Sequence, residues 1–181
     1  MSDDATKLWL DAVIQRCQRD KGMADRSIAQ LTDDEFRRRP APGFNSVACI
    51  VRHVAGNLVS RWTDFLTTDG DKPNRDRESE FADWTGTREE LMQRWEDGFN
   101  VYFDSLASLT SEDVHKTVTI RSEPHTVPQA IVRGLEHLSY HVGQILYVAR
   151  LVHSGEWKYQ TVAPGGSDAY NRKMGHATKS A

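Results

Sequence analysis

Apolar residues recur every three or four positions along four stretches of this chain, and polar segments bearing glycine and proline separate them. The first stretch runs from about Ala5 to Leu31, with Leu8, Leu10, Val13, Ile14, Met23, Ile28 and Leu31 set among charges. A period near 3.6 puts such residues on one face, so the spacing predicts an amphipathic helix. Thr32-Asp33-Asp34-Glu35 then has the form of a capping box and predicts one further short turn. Pro40, Pro42 and Gly43 break the chain. Asn45 or Ser46 can cap a second helix from about Val47 to Leu66, striped by Val47, Ile50, Val51, Val54, Leu58 and Phe65. TTDGDKPNRDRESE reads as a long polar connection. Thr87 with Glu90 opens a third helix from about Arg88 to Leu106, ridged by Leu91, Trp95, Phe99 and Phe103. VHKTVTIRSEPHTV alternates apolar and polar residues around Ser122-Glu123-Pro124, the pattern of a small hairpin or extended loop. Thr126 with Gln129, and Pro128 in the first turn, start a fourth helix that runs to about Val152. The tail is polar and glycine-rich, with Trp157, Tyr159 and Tyr170 as its anchors.

Four amphipathic helices of about twenty residues predict an all-α fold, a four-helix bundle, with the 181 residues forming one domain. The long connection between the second and third helices leaves room for a crossover. A net charge of −3 gives no electrostatic footprint for nucleic acid. Arg37-Arg38-Arg39, followed by Pro40, reads as a solvated turn. Cys17 and Cys49 lie inside helical patterns with no CxxC, which fits a reducing compartment. The N-terminus lacks a signal-peptide pattern, and no apolar run is long enough to span a bilayer. The expectation is a cytoplasmic protein that acts on a small molecule rather than on a membrane or nucleic acid. Tyr140 and Tyr147 point away from the core of the fourth helix, which suggests a homodimer or a covering tail segment.

The candidate chemistry lies in the histidines. His137 and His141 are four residues apart and stack on one face of the fourth helix; His53 sits far away in sequence on the second. All three border an apolar stripe. Two histidines on one helix and one on a facing helix can hold a transition-metal ion in a bundle. Spacing alone leaves a second reading open, three histidines that fringe a core for unrelated reasons. Cys49, one turn before His53, is either a fourth ligand or a small buried apolar residue. Leu138 follows His137 where HExxH would need glutamate, which excludes that metalloprotease pattern, and Glu136 falls on the opposite flank. His115, His125, His153 and His176 read as surface residues, with His153 placed to favour the helix dipole. Asn57 and Arg61, one and two turns after His53, either orient a substrate or its carboxylate or satisfy polar groups on the helix flank, and Gln144 can support His141.

Three blocks, FNSVACIVRHVAGNLVSRWTDFLTTDGDKPNRDRESEF, VTIRSEPHTVPQAIVRGLEHLSYHVGQILYVARL and WKYQTVAPGGSDAYN, resemble the DinB/YfiT-like metalloenzyme superfamily. More narrowly they resemble its bacterial branch known as domain of unknown function 1572. The resemblance covers most of the chain and is most specific in RHxxGN and HxxxHxGQI. It implies a four-helix bundle of up-up-down-down order and a divalent metal held at His53, His137 and His141. Zinc or nickel is the first expectation, iron or manganese the next. Relatives include transferases and isomerases that use bacillithiol, mycothiol or glutathione. The resemblance therefore implies an enzyme that joins a low-molecular-weight thiol to an electrophilic small molecule. The rival is a non-catalytic metal-binding or stress-response bundle.

Overall fold

In the computed structural model, which describes residues 3–176, the apolar stripes become six helices and one two-stranded sheet. Four helices are long: α1 (Asp3–Ile28), α3 (Val47–Trp62), α4 (Arg88–Ala107) and α5 (Val127–Val152). Between α1 and α3 lies the short α2 (Asp33–Arg37), closed by the Thr32–Glu35 capping box. Ser46 is the cap of α3, accepting from the Cys49 amide, while the boxes Thr87–Glu90 and Thr126–Gln129 start α4 and α5. Helix α3 stops at Trp62, one turn short of the predicted Leu66. A helix not anticipated, α6 (Ser167–Lys173), lies exposed in the tail. None of the described helices is long and apolar enough to cross a membrane.

The long helices pack lengthwise, and residue pairs give their directions. Helix α4 runs against α1, since the Ile28 carbonyl accepts from Arg88, Asp25 from Trp95, and Cys17 meets Tyr102. Helix α5 runs along α1, with Ser139 donating to Asp20 and Ser154 to Glu35. Helix α3 runs against α5, where Trp62 faces Gly134 and Ile50 shares a groove with Val148. Helices α3 and α4 are parallel, with Ala55 on Gly98 and Trp62 on Tyr102. The order is thus up, down, down, up, not the up-up-down-down expected. The Pro40–Gly43 segment reverses the chain after α1, and residues 63–87 carry it back along α3, which spans about 24 Å.

Two glycines let these helices close. A β-carbon on Gly134 would lie 2.7 Å from Trp62 Cζ2, and one on Gly98 would lie 3.1 Å from the Ala55 carbonyl oxygen. Trp62 is fully buried, so its ring has nowhere to retreat. Gly134→Ala should therefore cost about 1–3 kcal/mol, measured as a lower urea midpoint, although alanine is the better helix former.

The alternating segment forms the hairpin β1 (Thr117–Ile120) and β2 (Glu123–Thr126). Its two turn residues, Arg121 and Ser122, both have positive φ (56° and 62°), as a two-residue hairpin turn requires. Neither is glycine. The Asp69 carboxylate offsets that strain by accepting both their amides, at 2.9 and 2.8 Å. The Gly70 amide donates to the Thr119 carbonyl, so the long connection and the hairpin are tied together.

The described part of the tail does not cover the outward tyrosines. Trp157 packs against His153 and the Arg150 guanidinium, Lys158 bonds to Gln30 just beyond α1, and Gln160 accepts from Arg26 of α1. Tyr140 and Tyr147 stay 64% and 74% exposed.

Candidate metal centre

The antiparallel packing of α3 on α5 brings His53, His137 and His141 together. Their ligand atoms lie within 4.8 Å of one another, and His53 Nε2 is 3.4 Å from His137 Nε2. Two nitrogens bound to one ion at about 2.1 Å and the tetrahedral angle are themselves about 3.4 Å apart. The His53–His137 pair thus has that spacing, and the three residues form a cluster that could hold a metal ion. His53 is buried, and its partners on α5 are half-buried.

Two of the other ring nitrogens are engaged. Glu80 Oε2 accepts from His53 Nδ1 at 2.9 Å, and Gln144 Oε1 accepts from His141 Nδ1 at 2.8 Å. Each bond assigns the proton to Nδ1 and leaves Nε2 with its lone pair free for the cluster. Phe81 stacks on the His53 ring at 4.7 Å. Glu80 also accepts two bonds from Arg75, at 2.8 Å each. Burial raises the Glu80 pKa, but the bonds from His53 and Arg75 and the Arg75 charge outweigh it, so the carboxyl is held below its usual range.

Glu80, Arg75 and Phe81 were not singled out in the sequence, where they belong to a polar connection. They converge because Glu78–Phe81 forms a 3-10 turn against α3. Gly56, in the RHxxGN block, explains how: a β-carbon there would collide with the Glu80 carboxylate, so its absence opens the slot that the acid fills.

Asn57 and Arg61 are buried and line the same cleft as the three histidines, a space of about 650 Å³. Glu136, expected on the opposite flank, is exposed and lines this cleft too. Cys49 is not a member of the cluster. Its buried thiol lies 3.5 Å from Asn45 Oδ1 and from the Glu80 carbonyl, and burial raises its pKa. His153 caps α5 and approaches Glu35 at 3.4 Å, so it is bound to a specific acid rather than merely placed in the helix dipole.

Burial drives the His137 pKa down to about 3, with further repulsion from His141, His53 and nearby arginines. Burial and His53 likewise lower His141 to about 4, against the opposing bond to Gln144. In an unfolded chain both would titrate near 6.5. Between about pH 4 and 6.5 the unfolded chain therefore holds more protons than the folded one. The metal-free protein should keep the full contribution above that window and lose stability as pH falls through it, by up to about 1.4 kcal/mol per unit for each histidine. Urea midpoints at several pH values check this, and His137→Gln should flatten the acid limb. An unchanged slope in the variant would contradict a neutral, buried His137.

A helical bundle with three convergent imidazoles in an open cleft defines the class of protein: one with a candidate metal centre on facing helices. The chain belongs to the family described as "Protein of unknown function (DUF1572)", whose model matches residues 4–166. No curated protein matches it.

Proposed function

We propose that His53, His137 and His141 together hold one divalent metal ion, zinc or nickel in preference to iron or manganese, in a DinB-like four-helix bundle. On this reading the protein is a metal-dependent transferase that joins a low-molecular-weight thiol to an electrophilic small molecule. The observation that carries it is the set of three convergent imidazoles facing an open cleft rather than a closed shell. A structural site is closed by four protein ligands, whereas a catalytic one keeps a position free. When bound, the ion would lower the pKa of a thiol and present it as thiolate.

The chain's own residues have separable tasks. Glu80 and Gln144 hold His53 and His141 in one tautomer and one orientation. Asn57 and Arg61 offer polar groups to a ligand in the cleft. Phe81 shields one face of His53 from water. Metal analysis of untagged protein, followed by a screen of bacillithiol, mycothiol and glutathione against electrophiles, tests the reading. Thiol consumption that needs the metal and disappears in His137→Ala supports it. Stoichiometric metal without turnover on any pair would favour the non-catalytic rival.

We also expect a homodimer through the face that bears Phe44, Tyr140 and Tyr147, all of them exposed around one groove. Light scattering at micromolar concentration should give twice the chain mass, and Tyr147→Glu should halve it. A monomeric parent would end that expectation.

A further inference from the structure

Arg61 stands out in the cleft. It is 8% exposed, and among the described residues its guanidinium has neither a hydrogen bond nor an ion pair; its Nε is a buried donor without a partner. A buried cation without a counter-charge is costly, and proteins rarely keep one without a use for it. Its surroundings make the cost larger. After burial itself, the charges of Arg133, Arg75 and Arg121 disfavour the Arg61 cation, and Asp71 opposes them.

These arginines line the same cleft, but they are not equally free. Arg75 is committed to Glu80. Arg121 meets Asp71 at 3.2 Å in an exposed pair, and Arg133 lies 4.0 Å from Glu123 and 3.2 Å from His125 Nε2, both exposed. Exposed pairs of this kind are worth little and yield readily to a better anion. One negative charge in the cleft would answer Arg61, and a second would answer the rim pair Arg121 and Arg133.

Position adds direction. Arg61 is two turns beyond His53, about 12 Å along the helix axis. A helical side chain leans toward the N-terminus of its own helix, which here is toward Asn57 and His53. The hairpin turn that carries Arg121 is fixed by Asp69, so the rim is a built feature rather than a loose loop.

We infer that the cleft binds a small organic dianion, whose oxyanion group, carboxylate or phosphate, is held by Arg61 and whose second negative charge meets Arg121 and Arg133. The rest of the molecule extends toward the three histidines. That orientation rests on the metal-centre reading above, whereas the anion site itself stands on the arginines alone. Arginine's planar fork suits both oxyanions, because either can accept two parallel N–H bonds.

Calorimetric titration of the full chain with succinate, inorganic phosphate, acetate and dimethyl succinate tests the inference. Succinate or phosphate should bind once per chain, about tenfold or more tighter than acetate, and dimethyl succinate should not bind. Tighter succinate assigns a dicarboxylate, and tighter phosphate assigns a phosphate ester. Arg61→Met should weaken the preferred anion about tenfold or more, with circular dichroism confirming the fold. Arg133→Gln, at an exposed position, should weaken it severalfold and keeps the test valid if Arg61→Met misfolds. His137→Ala should still bind the anion, so failure of the metal reading leaves this one standing. Equal affinity in the parent and both arginine variants would overturn the inference. So would loss of anion binding in His137→Ala alone, because the anion would then sit on the metal.

Discussion

Replacing His53, His137 or His141 by alanine should each abolish stoichiometric metal binding, by about a hundredfold or more in affinity, without unfolding the chain. Three imidazoles share one ion, and two remaining nitrogens form a much poorer site than three. The fold does not need the ion, because the core is built from all four long helices, with Trp62, Trp95, Tyr102 and Phe99 fully buried in it. A zinc finger, by contrast, takes its folding energy from metal. Mass-spectrometric metal content and helical circular dichroism read the two halves separately. Full occupancy in any single variant would remove that residue from the set, and loss of helicity after chelation would make the ion structural.

Glu80→Gln should produce the second large effect, and it should act on two quantities at once. Removing the charge leaves Arg75, which is 7% exposed, without its bidentate partner. Breaking a buried ion pair on one side costs about 3–5 kcal/mol. The same change weakens the bond that orients His53, which costs about 10–100-fold in metal affinity. The double variant Glu80→Gln/Arg75→Met separates the two. It should regain most of the stability, because no orphaned charge remains, but not the metal affinity. Recovery of both would mean that Glu80 serves only Arg75.

The long helices and three capping boxes were legible because they are local: Thr32–Glu35, Thr87–Glu90 and Thr126–Gln129 announce themselves within four residues. The histidine trio was legible for a similar reason, since an i, i+4 pair and a third flank position obey helix periodicity. Glu80 was not. It sits in a run of charges where nothing local separates a buried acid from a solvated one. The one clue is indirect, Phe81 closing a polar stretch and Gly56 opening a gap in α3. Arg121 and Arg133 were hidden too, because the hairpin and the start of α5 reach the cleft only through tertiary packing. The up-up-down-down order was carried by the resemblance, whereas the long second connection left room for a crossover there, which gives a different order. Only cross-helix pairs such as Ile28 with Arg88 select between them.

The residue that steadies His53 arrives on the same segment that carries the chain from the end of α3 to the start of α4. That places the maturation of the site late in the life of a nascent chain. His53 can be helical as soon as α3 forms, but its tautomer is not fixed until residues 63–87 have travelled the length of the bundle and docked, and its partners on α5 are made last. A partly folded chain would therefore present isolated imidazoles that take up metal weakly and indiscriminately. On the proposed metal reading, selective loading should begin only after the crossover is seated, so that metal uptake during refolding reports the docking of residues 63–87.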